Sequence, residues 1–332
     1  MRRQRFVSLP SRSRLGSTSF ALGLLALTFA SIFSPILGAP AAHAGGKLHA
    51  IATVGDLGAI AREVLGNAGE VVVLAKPTQD PHFVDARPNL ILDLNRADAL
   101  VSMGLDYEVG WLPVLVKGSR NGKIQNGSAG SIVASTMVPL REVPQQRIDR
   151  SMGDIHPGGN PHFTLDPRNG ARIARGLAER FGNLAPENRA LYAQNADAFV
   201  KRLDAKTKEW EQRMATRRGA PVVSYHKSFT YLEDWLGLVE VGTIEPKPGI
   251  PPNAAHVAEL VNEMRTRKAA AILQERWYPS SVAESIASQT GAKLVLIPGM
   301  TPERGSYIDH IDEVVRAMEA AIPARSGAGA GK

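Results

Sequence analysis

The sequence predicts an α/β protein of two lobes, each a parallel sheet flanked by helices, joined by one long rigid helix. Short β-rich runs alternate with helical periods from Leu48 onward, the signature of parallel α/β units. Residues 186–217 then run without a Gly or an internal Pro. They keep an apolar stripe through Leu191, Ala198, Leu203 and Trp210, while Lys, Glu and Arg cover the other faces. The alternation resumes after this stretch, so the long helix stands between two βα halves as a stiff connector.

In the first half, residues 48–54 and 70–75 read as strands, 57–65 and 88–97 as helices, and 99–103 as a third strand. Residues 118–131 are rich in Gly, Ser and Asn with no periodicity and read as a flexible loop. Asp166-Pro167 reads as the N-cap and first turn of a helix over 167–181. In the second half the strands are 221–225, 238–244, 270–274 and 293–297. The helices are 229–236, 254–266 capped by Asn253, 280–289 stopped at Gly291, and 308–321. The chain therefore divides into a leader at 1–44, a first lobe at 45–185, the connector at 186–218, a second lobe at 219–324 and a disordered tail at 325–332.

A net charge of +7 invites a nucleic-acid or anionic-membrane partner. The charge lies in the wrong place for that. The first 44 residues hold five of the 39 basic residues and no acidic one, then a mostly apolar run over 20–37, then Ala42-His43-Ala44. This is the layout of a secretory signal peptide cut after Ala44; Pro35 and Pro40 argue against a retained anchor. Removing the leader leaves a nearly neutral body, so no nucleic-acid partner is expected. The chain has no Cys, which excludes a lipid-modified cysteine and thiolate ligands and restricts any metal to N and O donors. The expected product is a free, monomeric periplasmic protein.

Of eight His, three stand in unusual contexts: Asp80-Pro81-His82-Phe83, Asn160-Pro161-His162-Phe163 and Ser224-Tyr225-His226-Lys227. The first two repeat a Pro-His-Phe device, in which Pro fixes the backbone before the imidazole and the aromatic can wall a site. In open parallel sheets, ligands bind beyond the carboxyl ends of the strands. His82 follows the second strand, His226 ends the first strand of the second half, and Glu275 ends the third, where the two should project side by side. An ion shared by His82, His162, His226 and Glu275 would sit in the cleft between lobes. Three imidazoles and one carboxylate suit Zn²⁺; a more oxygen-rich shell would favour Mn²⁺.

His156 reads as a loop histidine that packs or hydrogen-bonds, with an accessory ligand role as the alternative. Asp166 could stand behind His162. His256 and His310 read as solvated helix-face residues, His49 as structural, and the four Trp as core or rim residues. No Walker lysine motif, GxGxxG after a strand, GxSxG or HExxH is present. Hydrolytic and nucleotide chemistry thus have no positive signal, and a zinc hydrolase using an open coordination position is the weaker rival reading.

The blocks DPHFVDARPNLILDLNRADALVSMGLDYEVGWL (80–112), GNPHFTLDPRNGARIARGLAERF (159–181), VVSYHKSFTYLEDWLGL (222–238) and ILQERWYPSSVAESIASQTGAKLVLI (272–297) carry a resemblance. The chain resembles the zinc/manganese solute-binding proteins of ABC uptake transporters over nearly all of its mature length. The resemblance implies no enzyme activity. It implies metal ligands at His82, His162 and His226, with His at the third position favouring zinc over manganese or iron, and Glu275 or water as the fourth. It also implies an inner-membrane ABC permease with its ATPase as partner, and it leaves room for a periplasmic metallochaperone. The His/Asp-rich loop of many zinc members has no counterpart at 118–131.

Overall fold

The computed structural model describes residues 46–145 and 156–325; the expected leader and all but the first residue of the expected tail lie outside them. Two four-stranded sheets form the frame, each wholly parallel. The first runs β2-β1-β3-β4, from β1 (Leu48–Ala52), β2 (Gly69–Val73), β3 (Ala99–Ser102) and β4 (Ser131–Val133). The second runs β6-β5-β7-β8, from β5 (Pro221–Ser224), β6 (Val239–Thr243), β7 (Ala271–Glu275) and β8 (Lys293–Ile297). In each, the first strand lies beside the second and third, so two strand ends converge at one edge.

Helices α1 (Gly55–Leu65), α2 (Pro88–Arg96), α3 (Leu112–Ser119) and α4 (Pro167–Leu184) belong to the first half. The connector is α5 (Arg189–Met214), with a 3-10 turn at each end. Its buried face is Tyr192, Ala196, Phe199, Val200, Leu203, Thr207, Trp210 and Met214. Ala198 is exposed, so the stripe begins one position away from the one the sequence suggested. The helix is pinned to both halves. Asn195 donates to the Val64 carbonyl at 3.0 Å and Arg202 pairs with Glu63 at 2.6 Å, both on α1. Trp210 Nε1 donates to Asp312 at 2.8 Å, and Arg213 pairs with Glu319 at 2.7 Å, both on the last helix. Among the described residues no helix is long and apolar enough to cross a membrane.

The second half adds α6 (Thr230–Leu236), α7 (Ala254–Arg267), α8 (Ser281–Thr290) and α9 (Tyr307–Ala321). One buried cluster joins the first sheet, α4, α5, α6 and α9, while a smaller one lies under α7 and α8. After β8 the chain returns to the first half. Buried Asp56 accepts from Thr301 N at 2.8 Å, Thr301 Oγ1 at 2.7 Å and Thr164 Oγ1 at 2.7 Å, and Tyr307 donates to the Thr164 carbonyl at 2.6 Å.

Two expectations fail here. Residues 118–131 are not a free loop: α3 and β4 occupy its ends, and Asn121 donates to the Leu94 and Ala97 carbonyls at 2.9 and 2.7 Å. Gly130 is required, because a Cβ there would lie 2.3 Å from the Asp98 carbonyl oxygen. His310 is not solvated but 2% exposed, with Nε2 3.7 Å from Asp56; burial depresses its pKa. His256 is half-buried and donates to the Thr243 carbonyl at 2.9 Å.

Candidate metal centre

His82, His162 and His226 converge from three separate connections at the carboxyl ends of the two sheets. Each offers one ring nitrogen, and these nitrogens all lie within 4.8 Å of one another. His162 and His226 are buried, and His82 is nearly so.

Local sequence orients two of the rings. Asp80 Oδ1 accepts the His82 backbone N–H at 3.0 Å and lies 2.7 Å from Nδ1 of the same residue. Asn160 Oδ1 repeats this for His162, at 2.9 Å from the backbone N and 3.0 Å from Nδ1. Pro between Asx and His fixes the turn that lets one oxygen serve both groups. His226 has no such neighbour; Glu245, at the end of the β6 connection, meets its Nδ1 at 2.7 Å. Each Nδ1 thus faces an oxygen acceptor, which places the ring proton there and leaves Nε2 with its lone pair free to bind a metal.

The electrostatics separate the imidazoles. Burial, helped by the neighbouring rings, drives His162 well below its ordinary pKa. Burial also lowers His156, to about 4. For His226 burial acts in the same direction, but the Glu245 hydrogen bond and the charges of Glu275, Glu245 and Asp80 outweigh it and hold the ring above its ordinary value. Two of the three converging rings stand beside a carboxylate, and His162 beside an amide.

Glu275 ends β7 next to His226 after β5, as the strand order requires. It is 3% exposed, burial pushes it up to about 7, and its Oε2 has no hydrogen-bond partner among the described residues. It does not join the group of donor atoms within 4.8 Å; it lines, with His162 and Tyr107, a small cavity of about 20 Å³. On the opposite side, His156, His162 and His226 line an open cavity of about 250 Å³. The centre therefore has an inner face toward Glu275 and an outer face toward His156.

Asp166 does cap α4, accepting from Arg168 N at 2.9 Å, but both its oxygens are taken by Arg168 and the acceptor behind His162 is Asn160. Phe83 does not wall the site, being 66% exposed; Phe163 is in the core at 0%. The aromatic wall is Tyr107, whose ring centroid lies 4.4 Å from His82 and 5.3 Å from His162. Sequence reasoning passed over Asp80 and Asn160, although both stand two residues before a singled-out His. It had no signal for Glu245 or Tyr107.

Two parallel-sheet lobes with imidazoles gathered at their shared edge define a metal-binding protein of the two-lobed solute-binding class. A sequence profile described as "ZnuA: Zinc-uptake complex component A periplasmic" matches residues 51–321, and the chain belongs to that family. A "High-affinity zinc uptake system protein ZnuA" of Brucella abortus (strain 2308) is 26% identical over 157 residues, 47% of each chain. The protein of the same description from Bacillus subtilis (strain 168) is 23% identical over 292 residues, covering 85% of this chain and 90% of that one. The chain thus spans about half the length of the Brucella relatives and most of the Bacillus one. Among solved structures, a crystal structure of ZnuA superposes with a TM-score of 0.70 at 22% identity, covering 83% of this chain and 100% of that one. At that identity the likeness shows the fold.

Proposed function

We propose that this chain captures Zn²⁺ outside the cytoplasm and delivers it to an inner-membrane ABC permease with its ATPase. The observation that carries this reading is the convergence of His82, His162 and His226 within 4.8 Å, each with Nδ1 on an oxygen acceptor. Three neutral imidazoles with fixed tautomers form most of a tetrahedral zinc shell. Family membership supports zinc as cargo, and the nitrogen-rich donor set favours it over Mn²⁺.

Asp80 and Glu245 balance the ion's charge through the rings they orient, and Glu275 adds negative charge on the inner face when ionised. Glu275 stands in a cavity with room for about one water. Export by a cleaved leader and a monomeric state remain part of the proposal. Calorimetry on metal-stripped protein tests it. The expected result is one zinc per chain at micromolar or tighter affinity, about −8 kcal/mol or better, abolished by His162→Ala. An unchanged isotherm in that variant would sink the site.

A further inference from the structure

The three converging imidazoles leave one position of a tetrahedral shell open, and the two faces of the centre offer different groups for it. We propose that His156 is the fourth metal ligand, closing an all-imidazole site from the solvent side, with Glu275 outside the coordination sphere. This rests on the reading of His82, His162 and His226 as the metal centre.

His156 Nε2 lies 3.3 Å from His82 Nε2. Zinc–nitrogen bonds of about 2.0–2.1 Å at the tetrahedral angle put neighbouring ligand nitrogens about 3.3–3.4 Å apart. The pair already stands at the edge length of a zinc polyhedron. Asp80 holds the proton of His82 on Nδ1, so a lone pair of His82 faces His156. One proton between the two nitrogens makes the contact a hydrogen bond donated by His156; a metal makes it a coordination edge, with the His156 proton moved to Nδ1.

His156 shares the open cavity with His162 and His226, so an ion entering from solvent meets it on the way to the buried rings. Its nitrogen stands outside the set that lies within 4.8 Å, so loading requires His156 to move inward toward His162 and His226. The turn that carries His156 is rich in glycine. His156-Pro157-Gly158-Gly159 forms a turn closed by Gly159 N donating to the His156 carbonyl at 3.1 Å, and Gly159 has φ +115°, which suits glycine. Beyond it Asn160 is fixed: its N donates to the Arg141 carbonyl at 2.9 Å, its Nδ2 to the Lys227 carbonyl at 2.7 Å, and its carbonyl accepts from Tyr231 at 3.0 Å. His156 is thus an arm on a glycine pivot anchored beside His162. Glu275 is held at the end of a central strand.

Four neutral nitrogens and no oxygen would select Zn²⁺, Co²⁺ or Ni²⁺ over Mn²⁺ more strongly than three nitrogens and a carboxylate. The test is the visible spectrum of the Co²⁺-loaded full chain together with zinc affinity, for wild type, His156→Ala, His156→Gln, Glu275→Gln and His162→Ala. The wild type should give intense tetrahedral d–d bands. His156→Ala should lose intensity as water enters the shell and should bind zinc at least about tenfold more weakly, the lower end of what loss of even an outer partner costs. His156→Gln should shift the bands differently, as an amide oxygen replaces a nitrogen. Glu275→Gln should leave the bands in place.

A His156→Ala spectrum and affinity equal to wild type would overturn the proposal while leaving the three-imidazole site standing. So would a band shift in Glu275→Gln with none in His156→Ala. Retained cobalt binding in His162→Ala would instead overturn the underlying site. The thermal unfolding of each metal-free variant separates lost binding from lost folding.

Discussion

The segments Asp80–Phe83 and Asn160–Phe163 share a four-residue pattern and an identical device: an Asx oxygen that accepts its histidine's backbone N–H and faces that histidine's Nδ1. Everything beyond the device differs. The phenylalanine of the first is 66% exposed and that of the second is in the core. Asp80 otherwise accepts from the Phe83 N–H within its own turn, at 3.0 Å, and from the Tyr278 hydroxyl, at 3.2 Å, whereas Asn160 also ties Arg141, Lys227 and Tyr231 together. Ring orientation is thus a property of the local sequence, and the rest is a property of where the fold sets the segment down.

The largest expected contrast lies in the phenylalanines. Phe163→Ala should destabilise the protein by about 3–5 kcal/mol, the cost of emptying a core aromatic position. Phe83→Ala should change stability by no more than about 0.5 kcal/mol, as for surface positions. Chemical denaturation of the metal-free proteins reads both. Equal losses would mean that Phe83 packs in solution.

The Asx residues come next. Asp80→Ala and Asn160→Ala should each weaken zinc binding by about 10–100-fold, because a metal-ligating ring that loses its outer partner loses both tautomer and orientation. They should part in a second readout. Asn160→Ala leaves buried backbone groups without partners and should lower metal-free stability by about 1–3 kcal/mol. Asp80→Ala frees one part-buried backbone N–H and should lower that stability by less. Calorimetry paired with thermal unfolding would separate them, and wild-type zinc affinity in both variants would break the shared role.

How much of this was legible follows the same division. Sheet composition, the parallel order and the connecting helix come from periodicity, which local residues carry: β8 lies at 293–297, as the pattern predicts. The short elements α3 and β4 were hidden because eight and three residues at the two ends of a Gly- and Ser-rich stretch are too few to show a period. The order of 118–131 comes from the side chain of Asn121, whose acceptors lie 24 and 27 residues away. His310 was misread because α9 leaves the second sheet and packs against α1 and α5, a return path that no helical pattern encodes. At the site, the three imidazoles were visible through their contexts. Asp80 and Asn160 were visible in principle, while Glu245, 19 residues from His226, belongs to the tertiary fold.

The third imidazole sharpens the comparison, because its orienting acceptor is remote and charged. His226 must be neutral to bind metal, and the carboxylates around it favour its charged form; Glu245 is the hydrogen-bonded one. A raised pKa moves the loss of binding to higher pH: as pH falls through a value above 6.5, His226 gains a proton before His162 does, since burial keeps His162 neutral well below that point. Zinc affinity should therefore rise as pH climbs past 6.5 and level off once His226 is neutral. Zinc binding at pH 6.5 should release a proton from this ring. Glu245→Gln keeps an acceptor oxygen but removes the charge, so the plateau should be reached at lower pH and proton release at pH 6.5 should fall. Calorimetry in buffers of different ionisation enthalpy counts those protons. An unchanged count would mean that the proton released on binding comes from a group other than His226, with Glu275, pushed up to about 7, the next to test by Glu275→Gln.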